Sequence, residues 1–177
     1  SRNNKITVID NRFISERVNQ LRNWGIDFVH GDILDNNLIS KYCKSADIIH
    51  HLAGITDVPR VKSDSIQDKN NRIKLVGEKG TQNILNVISD KCKIIFPSTH
   101  VVYEGIEKVK NDILEEEETK PILSYAISKS INEQQLKDSG KNYLILRLGS
   151  VYGYSTDTAR IDIMPNLFSK ITSQDGT

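Results

Sequence analysis

Five short apolar runs recur along the chain, and segments with helical spacing separate them. The predicted strands are Lys5–Ile9, Asp27–His30, Asp47–Leu52, Lys93–Phe96 and Tyr143–Leu148. The predicted helices are Phe13–Trp24, Asn36–Lys44, Asn70–Ser89 and Ser124–Asp138. The polar segment Thr56–Lys69 is predicted to be a loop, and no clear element is predicted at the C-terminal end. This alternation predicts an α/β fold whose parallel sheet is covered by helices on both faces, a three-layer α/β/α arrangement.

Composition excludes several classes of function. Lysine and arginine number 24 against 23 acidic residues, so the net charge of +1 gives no electrostatic reason to expect nucleic acid or a membrane surface as partner. The apolar runs are too short to span a membrane and no signal peptide is visible, which predicts a cytoplasmic protein. Cys43 and Cys92 lack the spacing of a metal or redox motif, and the adjacent His50 and His51 point to opposite faces of a strand. We therefore expect no metal site.

Tyr125 and Lys129 stand four residues apart near the start of the helix Ser124–Asp138, which puts both side chains on one helix face. A free tyrosine has a pKa near ~10, and a neighbouring ammonium stabilises the phenolate that a proton-transferring tyrosine must form. A threonine hydroxyl at the end of the preceding strand could hold the substrate oxygen. The spacing alone is weak evidence, because such pairs are common on solvated helices.

Polar and small residues also follow the predicted strands, at the edge where parallel sheets bind ligands. They are Asp10, Asp32, Ala53-Gly54, Ser98-Thr99 and Gly149-Ser150. This clustering supports a site at that edge independently of the Tyr125–Lys129 spacing.

Taken in order, these motifs resemble the extended short-chain dehydrogenase/reductase family, in particular its NAD-dependent sugar epimerases and dehydratases. The matching stretches are Val8–Asn11, Gly31–Ile33, His51–Gly54, Gly80-Thr81, Ser98–Tyr103, Tyr125 with Lys129, and Leu146–Gly153. The resemblance implies a Rossmann-type doubly wound parallel sheet, NAD as cofactor, a nucleotide-sugar substrate and a homodimer formed through the long helices. It also implies residues 1–150 as the NAD-binding domain and residues 151–177 as the start of a substrate-binding region.

The family's cofactor contacts carry over to residues after the first three strands. Asp10, with Asn11, would bind the adenosine ribose, and its carboxylate favours NAD over NADP. Asp32 and Ile33 would flank the adenine. The remaining contacts would come from Leu52, Ala53 and Gly54, which pass close under the cofactor, and from Ser98.

The catalytic positions carry over in the same way. Thr99 occupies the family's catalytic Ser/Thr position and Tyr125 that of the acid/base. Lys129 would hold the nicotinamide ribose while lowering the pKa of the tyrosine. The resemblance implies that Tyr125 and Lys129 both also contact the cofactor. Ser150 would contact the substrate.

Several positions depart from the family pattern. The glycine-rich turn of the first strand does not occur in these 177 residues, so we expect an incomplete chain that lacks the central strand between Lys5–Ile9 and Asp47–Leu52. That would leave a gap of roughly 10 Å in the sheet. Val101 stands where sugar dehydratases carry a glutamate, which argues against dehydration. Gly77 and Ser150 stand where asparagines are usual.

The leading interpretation is a nucleotide-sugar epimerase that works through a keto-sugar intermediate. A nucleotide-4-keto-sugar reductase is the main alternative, because Ser98–Gly105 also resembles that subgroup. A non-catalytic module that only binds the cofactor is a third interpretation, and the presence of Thr99, Tyr125 and Lys129 argues against it.

Overall fold

All five predicted strands are present, and every strand pairing is parallel. The computed structural model describes residues 4–56, 66–108, 110–153 and 163–175. Its elements are β1 (Thr7–Asp10), α1 (Ser15–Asn23), β2 (Asp27–His30), α2 (Asn36–Cys43), β3 (Ile48–His50), α3 (Ile66–Lys74), a π-helical turn (Leu75–Lys79), α4 (Gly80–Val87), β4 (Lys93–Thr99), a 3-10 turn (His100–Tyr103), α5 (Ser124–Asp138), β5 (Asn142–Leu148) and α6 (Met164–Asp175). This confirms the α/β fold. None of the helices within these residues is long and apolar enough to cross a membrane.

The strands form two separate sheets, β1–β2 and β3–β4–β5. Among the described residues, β1 and β3 are not hydrogen-bonded to each other, as predicted for a sheet interrupted at that point. Ile9 of β1 and Ile33, which follows β2, nevertheless pack against the core of the larger sheet. The two sheets therefore share one hydrophobic core.

That core lies between one face of β3–β4–β5 and the helices α2, α4 and α5. Its buried members are Ile39, Cys43, Ile84, Leu85, Ile88, Cys92, Ile94, Phe96 and Leu136. Successive strand residues point to opposite faces, so Ile94 and Phe96 of β4 face these helices while Ile95 and Pro97 face away. On that other face, the apolar side chains of Ile48, Leu144, Leu146 and Leu148 are exposed in the described structure.

Strand β4 runs three residues beyond the predicted Lys93–Phe96, because its pairing with β5 continues to Thr99 opposite Leu148. Pro97 lies within this extension although proline cannot donate to a ladder. Ile95 bonds toward β3, since its carbonyl accepts from the His51 amide at 2.9 Å. The backbone groups of Pro97, two residues later, face the same side of β4. Strand β3 ends at His50 and has no residue opposite Pro97. The missing N–H therefore leaves no strand partner unsatisfied.

Three helical segments differ from the prediction. Residues 57–65 of the predicted loop lie outside the described residues, but Ile66–Lys69 belong to α3 and not to a loop. The predicted helix Asn70–Ser89 contains the π-helical turn Leu75–Lys79. The C-terminal part carries α6, which the prediction missed. Pro165 fits the first turn of this helix, and apolar residues at 164, 167, 168 and 171 have helical spacing, so the signal was present.

Candidate active site

A small cavity lies where the start of α5 approaches the segment after β3. Its lining residues are Ala53, Gly54, Ile55, Ile73, Gly77, Tyr125, Ser128, Lys129 and Asn132. A methyl group placed on Gly54 would meet no described atom within 4 Å, so the backbone there is open to close approach. The structure thus brings together the predicted pair Ala53-Gly54 and the predicted pair Tyr125 and Lys129.

Lys129 is anchored to the sheet through its ammonium group. Its Nζ donates to the Pro97 carbonyl at 2.7 Å and lies 4.3 Å from the centre of the Phe96 ring. The same nitrogen is 5.9 Å from the centre of the Tyr125 ring. An ammonium has three hydrogens, so the bond to Pro97 leaves donors for another ligand.

Burial lowers the pKa of Lys129 to about 8, and the negative charge of Glu133 opposes this shift. At neutral pH the side chain therefore stays mostly protonated, although it is close to losing its proton. A cation of this kind beside Tyr125 is what stabilises a phenolate.

Thr99 ends β4, two residues after the carbonyl that holds Lys129. Its side chain is buried, and its Oγ1 accepts from the Val101 amide at 3.2 Å. A hydroxyl that accepts this bond can still donate its own hydrogen. Ser98 points to the opposite face and donates to Glu133 Oε1 at 2.5 Å, so its hydroxyl belongs to a buried network. The assignments of Ser98 to the cofactor and of Thr99 to catalysis stay predictions.

The turn that leads into α5 is held by Glu104. Its carboxylate accepts from the backbone amides of Ile122 at 2.8 Å and Leu123 at 2.5 Å. The Gly105 amide donates to the Lys120 carbonyl at 2.8 Å, and a side chain at Gly105 would come within 2.4 Å of that oxygen. These contacts fix the point at which α5 begins, and hence where Tyr125 lies.

A second group of predicted residues meets at the ends of β1 and β2. Asp10 Oδ1 accepts from the Arg12 amide at 2.8 Å. Asn11 Nδ2 donates to Asp32 Oδ2 at 3.0 Å, and Asp32 Oδ1 accepts from the Leu34 amide at 2.9 Å. The Ile33 carbonyl accepts from Asn83 Nδ2 at 3.0 Å. The predicted adenosine contacts therefore share one edge, held by hydrogen bonds among themselves and to α4.

Leu52 and Ser150 are exposed at the same edge of the sheet. Leu52 follows β3 and is 71% exposed, and Ser150 lies two residues past Leu148, which pairs with Thr99. Neither side chain has a contact here that tests its predicted role.

His51 lies next to this site, and the sequence prediction assigned it no role. His51 is 2% exposed, and its Nε2 lies 2.8 Å from Thr81 Oγ1. Its ring centre is 5.4 Å from that of Phe96. Burial, and secondly the charge of Lys129, lowers the pKa of His51 to about 4. The neutral ring joins the segment after β3 to α4.

The sequence prediction missed the ion pair between Glu133 and Arg147. Arg147 Nη2 donates to Glu133 Oε2 at 2.6 Å, and both side chains are largely buried. Two signals were available: Glu133 follows Lys129 by four residues on the same helix face, and an arginine within a predicted strand needs a buried partner.

The sequence of this chain also matches known proteins. The sequence model of the NAD dependent epimerase/dehydratase family matches residues 1–175. The UDP-glucose 4-epimerase of Mycoplasma genitalium is 29% identical over 148 residues, an alignment that covers 77% of this chain and 41% of that protein.

Solved structures with the same fold include relatives from two other bacteria. The Bordetella bronchiseptica enzyme WbmH, in complex with NAD+, is 25% identical with a TM-score of 0.73, covering 96% of this chain and 55% of its own. The UDP-glucuronic acid 4-epimerase of Bacillus cereus, in complex with NAD, is 25% identical with a TM-score of 0.69, covering 97% and 55%. The chain thus spans about half the length of these relatives.

Proposed function

The chain belongs to the NAD-dependent epimerase/dehydratase family, as its motifs predicted, and from that premise we propose that it is part of an NAD-dependent nucleotide-sugar epimerase. Relatives of the matched family include a UDP-glucose and a UDP-glucuronic acid 4-epimerase, so a UDP-sugar is the substrate class we propose. Residues 1–150 would form the NAD-binding domain and residues 151–177 the start of the substrate-binding region. A homodimer through the long helices stays a prediction.

One observation carries the proposal: Tyr125 and a partly buried, protonated Lys129 line the same cavity as Ala53-Gly54. An acid/base tyrosine, its cation and an open stretch of backbone are the parts that a nicotinamide-dependent reaction at a sugar hydroxyl needs.

The residues present fit a dinucleotide. Asp10 uses one oxygen for the Arg12 amide, and a carboxylate has further acceptor sites for ribose hydroxyls. Lys129 keeps donors for the second ribose after bonding Pro97. Ala53 and Gly54 present no bulk against a ring stacked over them.

In this proposal NAD, held by Asp10 at one ribose and by Lys129 at the other, would supply hydride transfer to and from the sugar carbon that bears the reacting hydroxyl. Tyr125 removes the proton of the sugar hydroxyl and later gives it back. Lys129 supplies the positive charge that stabilises the Tyr125 phenolate. Thr99 donates its hydroxyl hydrogen to the same sugar oxygen and orients it for the transfer.

The test uses the full-length protein that contains this chain, incubated with UDP-glucose or UDP-glucuronic acid. Proton NMR would follow conversion to the C4 epimer, and absorbance would follow net formation or consumption of NADH. We expect epimer without net change in NADH. Stoichiometric oxidation of NADH with a 4-keto-sugar would identify a reductase instead, and cofactor binding without turnover of any nucleotide sugar would identify a non-catalytic module.

A further inference from the structure

Glu133 is a buried carboxylate one helical turn after Lys129. The residue is 2% exposed, and it lies on the face of α5 that packs on the sheet. Burying a carboxylate is costly unless it is paired and hydrogen-bonded, so its partners explain why it is tolerated there.

Two partners, the buried Ser98 and the largely buried Arg147, satisfy its oxygens. Ser98 Oγ of β4 donates to Oε1 at 2.5 Å, while Arg147 of β5 donates from Nε to Oε1 at 3.0 Å and from Nη2 to Oε2 at 2.6 Å. Lys137 approaches Oε2 at 3.9 Å from the exposed end of the group. Burial raises the pKa of Glu133, but the bonds from Arg147 and Ser98 outweigh it and the net shift is downward, so the group stays ionised.

Arg147 extends the network beyond the ion pair. Its Nη1 donates to the Tyr103 hydroxyl and, at 2.8 Å, to the Glu115 carbonyl. The guanidinium carbon lies 5.0 Å from the centre of the Tyr103 ring. Glu133 is thus the point at which α5, the two strands and the 3-10 turn after Thr99 are tied together.

The network reaches the proposed reaction in two ways. Ser98 lies between Pro97, whose carbonyl holds Lys129, and Thr99, so fixing the Ser98 side chain fixes both neighbours. The Glu133 charge also acts on Lys129: it raises the pKa of that ammonium, against the larger effect of burial. Among the residues that the structure describes, the other titratable groups near Lys129 are Tyr125 on α5 and His51 after β3.

We propose that Glu133 is a positioning residue of this site: through Ser98 it holds the Pro97–Thr99 end of β4, and it places a negative charge one helical turn from Lys129. This inference rests on the proposed function, since it concerns the same Tyr125–Lys129 pair. Glu133 itself touches no reacting atom and acts only through its neighbours.

The first experiment does not depend on turnover. Competitive acetylation of amines as a function of pH, read out peptide by peptide, gives the pKa of Lys129 in the folded full-length protein. Because Glu133→Gln removes the negative charge while keeping an acceptor for Ser98, Lys129 should become reactive about one pH unit lower. Glu133→Asp should restore much of the wild-type profile. Asp138→Asn removes an exposed carboxylate from the same helix and should leave the profile unchanged.

The second experiment measures epimerase kinetics. In Glu133→Gln, the fall of kcat at alkaline pH should begin at a lower pH than in wild type. The size of this pH shift should equal that of the Lys129 labelling. Ser98→Ala should lower kcat about tenfold with little change in KM, because it loosens the strand end that carries Thr99 while leaving the Glu133 charge in place.

The outcomes separate the two proposals. If the wild-type protein has no epimerase activity but Glu133→Gln still shifts the labelling of Lys129, the proposed function is wrong and the electrostatic role of Glu133 is supported. A folded Glu133→Gln protein with a wild-type labelling profile would overturn the charge effect, and a folded Ser98→Ala enzyme with unchanged kcat would overturn the positioning. Should Glu133→Gln fail to fold, Ser98→Ala decides, because a folded Ser98→Ala enzyme with a wild-type kcat would overturn the inference.

Discussion

Replacing Tyr125 by phenylalanine removes the hydroxyl and keeps the ring, so it should cost little packing. Tyr125→Phe should lower kcat about 10²–10⁴-fold, the range that general acid–base catalysis contributes. NAD affinity should stay within a few-fold of wild type, because the Lys129 bond to Pro97 does not involve the phenol. Steady-state kinetics and calorimetry would measure both.

Tyr143→Phe is the matched control, since it removes the same oxygen from a partly exposed residue on β5. Its kcat should match wild type. A Tyr125→Phe enzyme that turns over at a near-normal rate would return Tyr125 to the status of an ordinary helix residue.

Titration of His51 should make the free energy of unfolding depend on pH. Its folded pKa of about 4 lies below the ordinary value of 6.5, so the unfolded chain binds a proton that the folded chain rejects. The free energy of unfolding should therefore fall as pH drops from 6.5 toward 4, by about 2 kcal/mol at pH 5 for this group alone.

Urea unfolding of wild type and His51→Gln at pH 7 and pH 5 measures this. The variant should lose about 2 kcal/mol less than wild type over that interval, even if it is less stable at both pH values. Equal losses in the two proteins would show that His51 is charged in the folded state or that its neighbours absorb the proton.

Elements with local signals could be predicted from sequence. Helix α5 has the predicted bounds because apolar spacing fills it and Gly140, at φ +67°, follows its end. Strand β2 likewise matches. The extension of β4 to Thr99 could not be predicted, because it depends on pairing with β5 across a proline. The anchoring of Lys129 at Pro97 follows from that extension and was missed for the same reason.

The π-helical turn Leu75–Lys79 also depends on tertiary contact. A side chain at Gly77 would place its Cβ 2.2 Å from Ser128 Oγ and 3.4 Å from Asn132 Oδ1. In a solvent-exposed helix, alanine is more favourable than glycine by about 1 kcal/mol. At Gly77 the contact with α5 reverses that preference. Helix propensity alone therefore predicts the wrong sign for the change in stability on Gly77→Ala.

Gly77→Ala should therefore lower the free energy of unfolding, by about 1–3 kcal/mol as expected for overpacking. Ser128→Ala removes the clashing oxygen and leaves its Cβ 3.6 Å away, so the double variant should recover most of the loss. A thermodynamic cycle from chemical denaturation gives the coupling. Additive effects, or a more stable Gly77→Ala protein, would contradict the close packing of the π-helical turn on α5.

At the scale of the molecule, the strand order implied by the family predicted that β1 and β3 would not pair, and the two separate sheets agree. The unequal faces of β3–β4–β5 were not predictable from the strands themselves. Leu144 and Leu146 are as apolar as Ile145, and among the described residues the placement of α2, α4 and α5 decides which side is buried.

This asymmetry predicts unequal losses of stability for substitutions on the two faces of the sheet in the 177-residue chain. Phe96→Ala should lower the free energy of unfolding by about 3–5 kcal/mol, because Phe96 is fully buried under the helices. Leu146→Ala, on a residue that is 37% exposed on the other face, should cost under about 1 kcal/mol. Chemical denaturation of the two variants measures the difference.

The same face should also bind a hydrophobic dye. Ile48, Leu144, Leu146 and Leu148 form an apolar surface that protein monomers rarely leave open over a large area, and 8-anilinonaphthalene-1-sulfonate fluoresces on such surfaces. Replacing Leu144 and Leu146 by lysine should lower the fluorescence of the folded chain while leaving its thermal midpoint nearly unchanged. The substitutions Arg22→Lys and Gln134→Lys, at exposed positions on α1 and α5, are controls and should leave the dye fluorescence unchanged. If the leucine variants instead unfold the protein, or if the folded wild-type chain binds no dye, this face is covered in solution and the asymmetry of the sheet is wrong.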